Sequence, residues 1–294
     1  MEASVSQVRS FNRLVTQRVG ALNDHYLARD RPLGEARLLW EIGVEGSDVR
    51  ALRSRLELDS GYLSRLLRLL EAAQLVSVTR SENDKRVRTV QLTAAGLAER
   101  DLLERRGDAL ARSFLEPLSE PRRDRLVAAM AEVERLLTAA LVDIRAIDPA
   151  HRDAQFCLRE YFAELGQRFD TGFDPASSIS AGLHELRPPA GVFVVATLRA
   201  EPVGCGALKF HGDEPTELKR MWVAEAARGL GIGRRLLIEL ESRVAAAGSS
   251  VVRLETNKTL IEAINLYRSA GYREVNAFND EPYAHHWFEK RFEH

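Results

Sequence analysis

Between Arg228 and Arg234 the chain reads Arg-Gly-Leu-Gly-Ile-Gly-Arg, with glycines at alternate positions and a guanidinium at each end. Glycine lets the main chain take positive φ and approach a ligand closely. A helix start directs free N–H groups at an anion. The loop sits between such elements. Leu218 to Val223 is rich in strand-compatible residues, and Leu236, Leu237, Leu240 and Val244 follow at helical spacing. Strand, glycine loop and helix therefore predict a backbone-built anion site from Glu217 to Leu237, suited by its arginines to a pyrophosphate. No Lys-Ser/Thr follows the last glycine, so it is not a P-loop. A dinucleotide fold would place such a loop on the first strand of a βαβ repeat, whereas here it comes late in a mixed segment. An ordinary glycine turn would explain one or two of the glycines.

The pattern R-x-x-G-x-G after a strand ending in Trp222-Val223 resembles the acetyl-CoA loop of the GNAT acetyltransferases. A second run, Ala263-x-x-Leu266-Tyr267-x-x-x-Gly271-Tyr272, resembles that family's later hallmark, and the two stand in family order. The resemblance covers about residues 150–294 and implies acetyl-CoA as donor. It implies that main-chain groups of Met221, Trp222 and Val223 take the pantetheine arm, and that Asn257 touches it. The N–H groups of Gly229, Leu230, Gly231, Ile232, Gly233 and Arg234, with Arg228 alongside, would cradle the pyrophosphate. Tyr267 is then the expected general acid, a phenol near the sulfur, although its helix also buries neighbours and it could be a packed aromatic. Glu217 is the candidate base, against the alternatives that it merely starts a strand or that water chains carry the proton. His285 and His286 lie on a late strand, and one of such a pair should face solvent. The acceptor implied is a primary amine on a small molecule or amino acid, with protein lysine as the alternative. Tyr161, Phe162, Phe169 and Phe173 suggest a partly apolar pocket or simply core.

The first half carries a different pattern. Val5, Val8, Phe11, Val15, Val19, Leu22 and Tyr26 recur at helical spacing, and Glu35 to Ile42 reads as a second helix. Ser47 could cap a third, Asp48 to Leu56, and Asp59 or Ser60 a fourth, with Leu63, Leu66, Leu67 and Leu70 as its buried stripe. Helix, tight turn and helix make a helix-turn-helix candidate. The face opposite the stripe carries Ser60, Tyr62, Ser64, Arg65 and Arg68, types that contact phosphates and guanine edges; exposed arginines on a solvated face are the plainer reading. Leu75 to Leu92 then alternates as a hairpin around a polar tip, 81–86, as in a winged helix. Asp84-Lys85-Arg86 followed by Leu92-Thr93-Ala94-Ala95-Gly96 resembles the D-x-R…L-T-x-x-G signature of the MarR regulators. That resemblance, over about residues 1–145, implies a homodimer built by the first and last helices on double-stranded operator DNA. Lys85, Arg86 and Arg88 would serve the wing, and Thr93 would cap the next helix. Long helices are expected from Ala94 to Phe114 and from Glu120 to Ile147.

The fold class expected is thus two domains: a mainly α winged helix-turn-helix (MarR-like) at 1–147, then an α/β GNAT fold with a mixed, splayed sheet at 151–294. Asp148-Pro149-Ala150 would be the junction between them. The expected protein is a DNA-binding regulator that is also an N-acetyltransferase; the alternative is a regulator whose second half only senses acyl-CoA. A net charge of -1 gives no global pull toward nucleic acid, so a DNA site must come from local clustering. Cys157 and Cys205 are too few for a disulfide framework or metal site. With no signal peptide and no apolar stretch of membrane-spanning length, a cytoplasmic protein is expected.

Overall fold

In the computed structural model, residues 1–21, 26–28, 30–80, 88–179, 181–212 and 214–292 are described. They form two compact units, Met1–Ala129 and Met130–His294.

In the first unit, α1 (Glu2–Arg18) is followed by a 3-10 turn at Tyr26–Ala28 and by α2 (Leu33–Ile42). Then come β1 (Ser47–Asp48), α3 (Val49–Arg55), α4 (Ser60–Ala72), β2 (Val76–Arg80), β3 (Arg88–Leu92) and α5 (Ala94–Leu115), and last α6 (Glu120–Ala140), whose residues from Met130 on belong to the second unit. The three strands pair in the order β1-β3-β2. The Asp48 carboxylate caps α3, accepting from the N–H groups of Arg50 and Ala51, whereas Ser47 pairs with Val90 in the sheet. The cap therefore lies one residue beyond the expected serine. Asp59 caps α4 through the N–H of Tyr62. Leu63, Leu66, Leu67 and Leu70 are buried against Leu38, Leu39, Leu52 and Val90, so the stripe fixes α4 on the core with its other face outward.

Thr93 shows why threonine and glycine stand three apart after the hairpin. Its hydroxyl accepts from the Gly96 N–H at 3.0 Å and donates to the Gln74 carbonyl at 2.7 Å. A Cβ at Gly96 would sit 1.9 Å from the Leu75 carbonyl oxygen, so the helix start can close on that strand only with glycine.

The expected helix to Ile147 stops at Ala140, and Asp143–Ala146 is instead a strand, β4, paired antiparallel with the strand at Gly191–Leu198. Val142 is buried in the sheet's core, which rewards the extended conformation over another helical turn. Asp148-Pro149-Ala150 consequently lies inside the second unit. That unit continues with α7 (Arg152–Arg168), β5 (Gly191–Leu198), β6 (Glu201–His211), β7 (Glu214–Val223), α8 (Ile232–Ala246), β8 (Val251–Thr256), α9 (Ile261–Ser269), β9 (Arg273–Val275) and β10 (His286–Arg291). Residues 278–285 are irregular, and β10 closes the sheet with the short β9 beside it.

The mixed sheet has seven strands in the order β4-β5-β6-β7-β8-β10-β9. Alternation along β5 loads both faces. Val192, Val194 and Ala196 pack with Leu236, Leu237, Leu240 and Val244 of α8, while Phe193 and Val195 pack with Ala154, Cys157 and Leu158 of α7. Strands β7 and β8 run parallel and pair only at Thr216–Val252 and Glu217–Arg253. Beyond those residues they diverge, and the wedge between them is where the site forms. Among the described residues no helix is long and apolar enough to cross a membrane.

Candidate functional site

Two clefts meet at the wedge. The first, of about 450 Å³, is lined by Met221, Trp222 and Val223 at the end of β7, by the glycine loop, and by Ala263, Leu266 and Tyr267 of α9. Gly229 and Gly231 take φ of +81° and +73°, so their conformation itself asks for glycine. Nothing lies within 4 Å of a Cβ built on either, so their bare backbone faces open space. Gly233 serves packing instead, since a Cβ there would press to 3.3 Å on Leu266. The first intrahelical bond at the start of α8 runs from the Arg235 N–H to Gly231 O. The N–H groups of Ile232, Gly233 and Arg234 therefore precede the hydrogen-bond ladder and project from the helix start. A phosphate group fits there: open room, donors and positive dipole coincide.

The flanking arginines are engaged differently from the symmetric clamp that their spacing suggests. Arg228 holds both carboxylate oxygens of Glu164 at 2.6 Å and donates from Nε to Val223 O. Trp222 Nε1 donates to the same carboxylate at 3.0 Å. Arg228 and Trp222 thereby tie the loop and the strand end to α7. Arg234 is exposed, with one long contact of 3.3 Å to Ser269 Oγ.

The second cleft is lined by Phe169, Phe173, Leu218, Lys219, Arg220, Glu255, Glu281 and Tyr283, among others, and shares Tyr161, Leu165, Met221, Leu260, Ala263 and Tyr267 with the first. Its aromatic wall is contiguous, with Phe173 4.9 Å from Tyr283 and 5.7 Å from Phe169, ring centre to ring centre. The Lys219 ammonium lies 2.5 Å from Glu255 and 3.2 Å from Glu217. Burial opposes its charge, yet the two carboxylates outweigh that and raise its pKa. Glu281 is buried and accepts from Ser178 Oγ and from the N–H groups of Ile179 and Tyr283.

Tyr267 lies where the clefts join. Burial pushes its phenol well above the ordinary value near 10, and the charge of Glu255 adds to the rise. The hydroxyl is protonated at physiological pH, as an ordinary phenol is, and the ring packs against Tyr272 and Phe288. Glu217 lies elsewhere: its carboxylate sits between Lys219 and His211 and is not among the residues lining either cleft. Asn257 borders the second cleft, with its amide donating to Tyr283 O and accepting from the Thr259 N–H. Neither His285 nor His286 lines a cleft, and His286 pairs with Glu274 at 2.6 Å. Sequence reasoning missed Arg220, Glu255, Glu281 and Tyr283. A signal existed for Arg220: Lys219-Arg220 interrupts the alternation of the strand.

On the first unit, Ser60, Arg65 and Arg68 are exposed on α4, and Tyr62 and Ser64 are half-buried. Arg65 lies 5.1 Å above the Tyr62 ring, and Arg68 Nε reaches Ser64 O at 3.3 Å. Arg88 opens β3 opposite Arg80. Asp84, Lys85 and Arg86 fall outside the described residues.

The family model described as "Acetyltransferase (GNAT) domain" matches residues 189–274, and the one described as "MarR family" matches 30–87. The chain is 40% identical over 103 residues to an IAA acetyltransferase of Azospirillum brasilense, covering 35% of this chain and 66% of that protein. It is 32% identical over 136 residues to an uncharacterised N-acetyltransferase of Schizosaccharomyces pombe, covering 45% of this chain and 79% of that one. Among solved structures, a mutant MarR from E. coli aligns with a TM-score of 0.38 at 23% identity, over 42% of this chain and 93% of the other.

Proposed function

Because the chain belongs to the GNAT acetyltransferase family and carries a MarR-family region ahead of that domain, we propose that it both transfers acetyl groups to a primary amine and binds operator DNA as a homodimer. The observation that carries the enzymatic half is Tyr267, a protonated phenol shared by the two clefts. A protein that only sensed acyl-CoA would have no use for a proton donor at that junction.

Acetyl-CoA, when bound, supplies an acyl group on a thioester. Met221 to Val223 and the loop from Gly229 to Arg234 hold it with main-chain groups, while Arg228 fixes the loop to α7. The amine takes the second cleft. It loses a proton on that side, where Glu255 is the nearest fit to a base and Glu217 supports it through Lys219. The new bond joins nitrogen to the acyl carbon, the carbon–sulfur bond breaks, the Tyr267 hydroxyl gives its proton to the leaving sulfur, and the proton that the acylated nitrogen sheds restores the phenol. Holding the amine and the acyl carbon together removes much of the entropic barrier.

The DNA-binding half is supported by the outward face of α4 and by unpartnered apolar residues on α1. That helix has no buried residue, while Val5, Val8, Phe11, Leu14 and Val15 are all exposed, as a dimer face would be in one isolated copy. An amine-library assay read as acetyl-CoA-dependent release of free CoA tests the enzyme. Bound acetyl-CoA with no CoA released for any amine would favour a sensor. Selection from a random DNA pool tests the other half, and absence of enrichment would make the winged helix a scaffold.

A further inference from the structure

Strand β7 does something at 219–222 that a flat strand cannot. Ala207 of β6 faces Lys219, and Cys205 faces Trp222, so two residue steps on β6 match three on β7. The extra residue is accommodated at Arg220, whose φ of 59° is unfavourable for side chains other than asparagine and aspartate. Its carbonyl is held in place by the Cys205 thiol, which donates to it at 3.2 Å. Bulges re-aim side chains, and a backbone outlier in a cleft wall invites a functional reading. Here the four consecutive residues Leu218, Lys219, Arg220 and Met221 all line the second cleft.

The two cations so placed are used differently. Lys219 is matched by the carboxylates of Glu255 and Glu217. Arg220 is laid on aromatic rings, with Cζ 4.7 Å from the centre of Phe162 and 5.7 Å from that of Tyr161. A guanidinium oriented by stacking keeps its planar fork in register with a planar oxyanion, and carboxylate is the group it fits in two-point contact. The same cleft is lined by the carboxylates of Glu255, one oxygen of which serves Lys219, and of Glu281, whose Oε1 takes only the Tyr283 N–H; their remaining lone pairs suit an ammonium, and the wall of Phe169, Phe173 and Tyr283 suits an apolar body. A ligand that answers all three is a zwitterion with an apolar side chain.

Taking the second cleft as the acceptor site of an N-acetyltransferase, we propose that the acceptor is an α-amino acid with an aromatic or large apolar side chain. Arg220 binds its carboxylate, Phe169, Phe173 and Tyr283 cover its side chain, and its amino group lies toward Tyr267. Acetyl transfer then yields an N-acyl amino acid that keeps the carboxylate and loses the positive charge.

The experiment uses the full-length protein saturated with CoA and measures binding of phenylalanine, phenylalaninamide and phenethylamine by calorimetry, with leucine and tryptophan as further acids. Phenylalanine should bind about 10- to 100-fold more tightly than phenethylamine, the range of a charge-assisted contact. Arg220→Asn removes the charge with a side chain that tolerates the left-handed backbone, and should bring that ratio close to one. Arg220→Lys, a charge without the fork, should restore part of it. A variant that simply folds less well would weaken all ligands alike and leave the ratio where it was. A ratio near one in the unaltered protein, a ratio unmoved by Arg220→Asn, or no binding by any of the acids overturns the proposal. Turnover is scored separately with acetyl-CoA. Acid-selective binding without CoA release would leave the carboxylate contact standing and remove the acetyltransferase reading beneath it.

Discussion

The two clefts that meet at Tyr267 are built in opposite ways. The first cleft centres on main chain from one stretch of sequence, the end of β7, the loop and the start of α8, with side chains of α7 and α9 closing it. The second cleft is assembled from side chains on α7, the segment after it, the bulge of β7, the end of β8, α9 and the loop at 281–284. A site made by backbone must announce itself in residues that control backbone, chiefly glycine, and at fixed spacing. A site made by side chains from scattered elements has no spacing to announce. The first cleft is thus legible in this chain where the second is not.

The largest effect should arise where the clefts touch. Tyr267→Phe keeps the ring and removes the proton, so kcat should fall about 10²–10⁴-fold while acetyl-CoA affinity stays put. Because burial raises the Tyr267 pKa, the rate should show no loss on the alkaline side from its deprotonation below about pH 10. An unchanged kcat with chemistry rate-limiting would make Tyr267 a core aromatic and separate the clefts chemically.

Next comes the loop. Gly231→Asp should weaken acetyl-CoA binding by roughly 100-fold or more, combining a strained left-handed backbone with a negative charge at the helix start. Gly231→Asn carries nearly the same shape and backbone tolerance without the charge, so the gap between the two variants reads the electrostatic share. If calorimetry finds both equal to the unaltered protein, the open backbone at Gly229 and Gly231 does not meet the cofactor, and the contrast between the clefts collapses.

The helix-turn-helix extends the contrast, since the face proposed to read DNA is also one contiguous segment. Arg65→Ala should relax sequence preference by about 1–3 kcal/mol if the guanidinium meets a base edge. Uniform weakening across all sequences in a competition assay would reduce Arg65 to a phosphate contact.

What the sequence conveyed followed local chemistry. The leucine stripe of α4, the Thr93 cap and the glycine loop each rest on interactions within a few residues, and each is where its spacing indicated. The end of α6 did not follow. Leu141, Val142, Ile144 and Ile147 prolong an apolar pattern with no glycine or proline to stop it, and only pairing with β5, some fifty residues on, makes 143–146 a strand. Lys219-Arg220 was legible as broken alternation, but which residue would bulge depended on β6. Glu281 stands out only once the loop it binds at Ser178 and Ile179 is in place.

The smallest predicted effect tests how self-contained the cofactor cleft is. Arg135, on the last turns of α6, donates from NH1 to Gly229 O at 3.2 Å while Glu132 holds its other nitrogens. Arg235 of α8 likewise caps the end of that helix, donating to Ala139 O and Val142 O at 2.6 and 2.7 Å. A loop that reads as autonomous in sequence is thus braced by residues that lie far earlier in the chain. Exposed contacts of this kind are worth little, so Arg135→Ala should raise the acetyl-CoA Kd only about two- to threefold. Arg235→Ala, which leaves the helix-end carbonyl of Ala139 and that of Val142 without this donor, should do somewhat more and should lower the Tm as well. If the Arg135 variant binds acetyl-CoA with the original affinity at both low and high salt, the brace is incidental, and the glycine loop holds its shape by local sequence alone. If affinity falls about tenfold or more, α6 is part of the cofactor site. Any motion of that helix would then be felt directly at the pyrophosphate, and the legible cleft would depend on a segment that its motif never mentions.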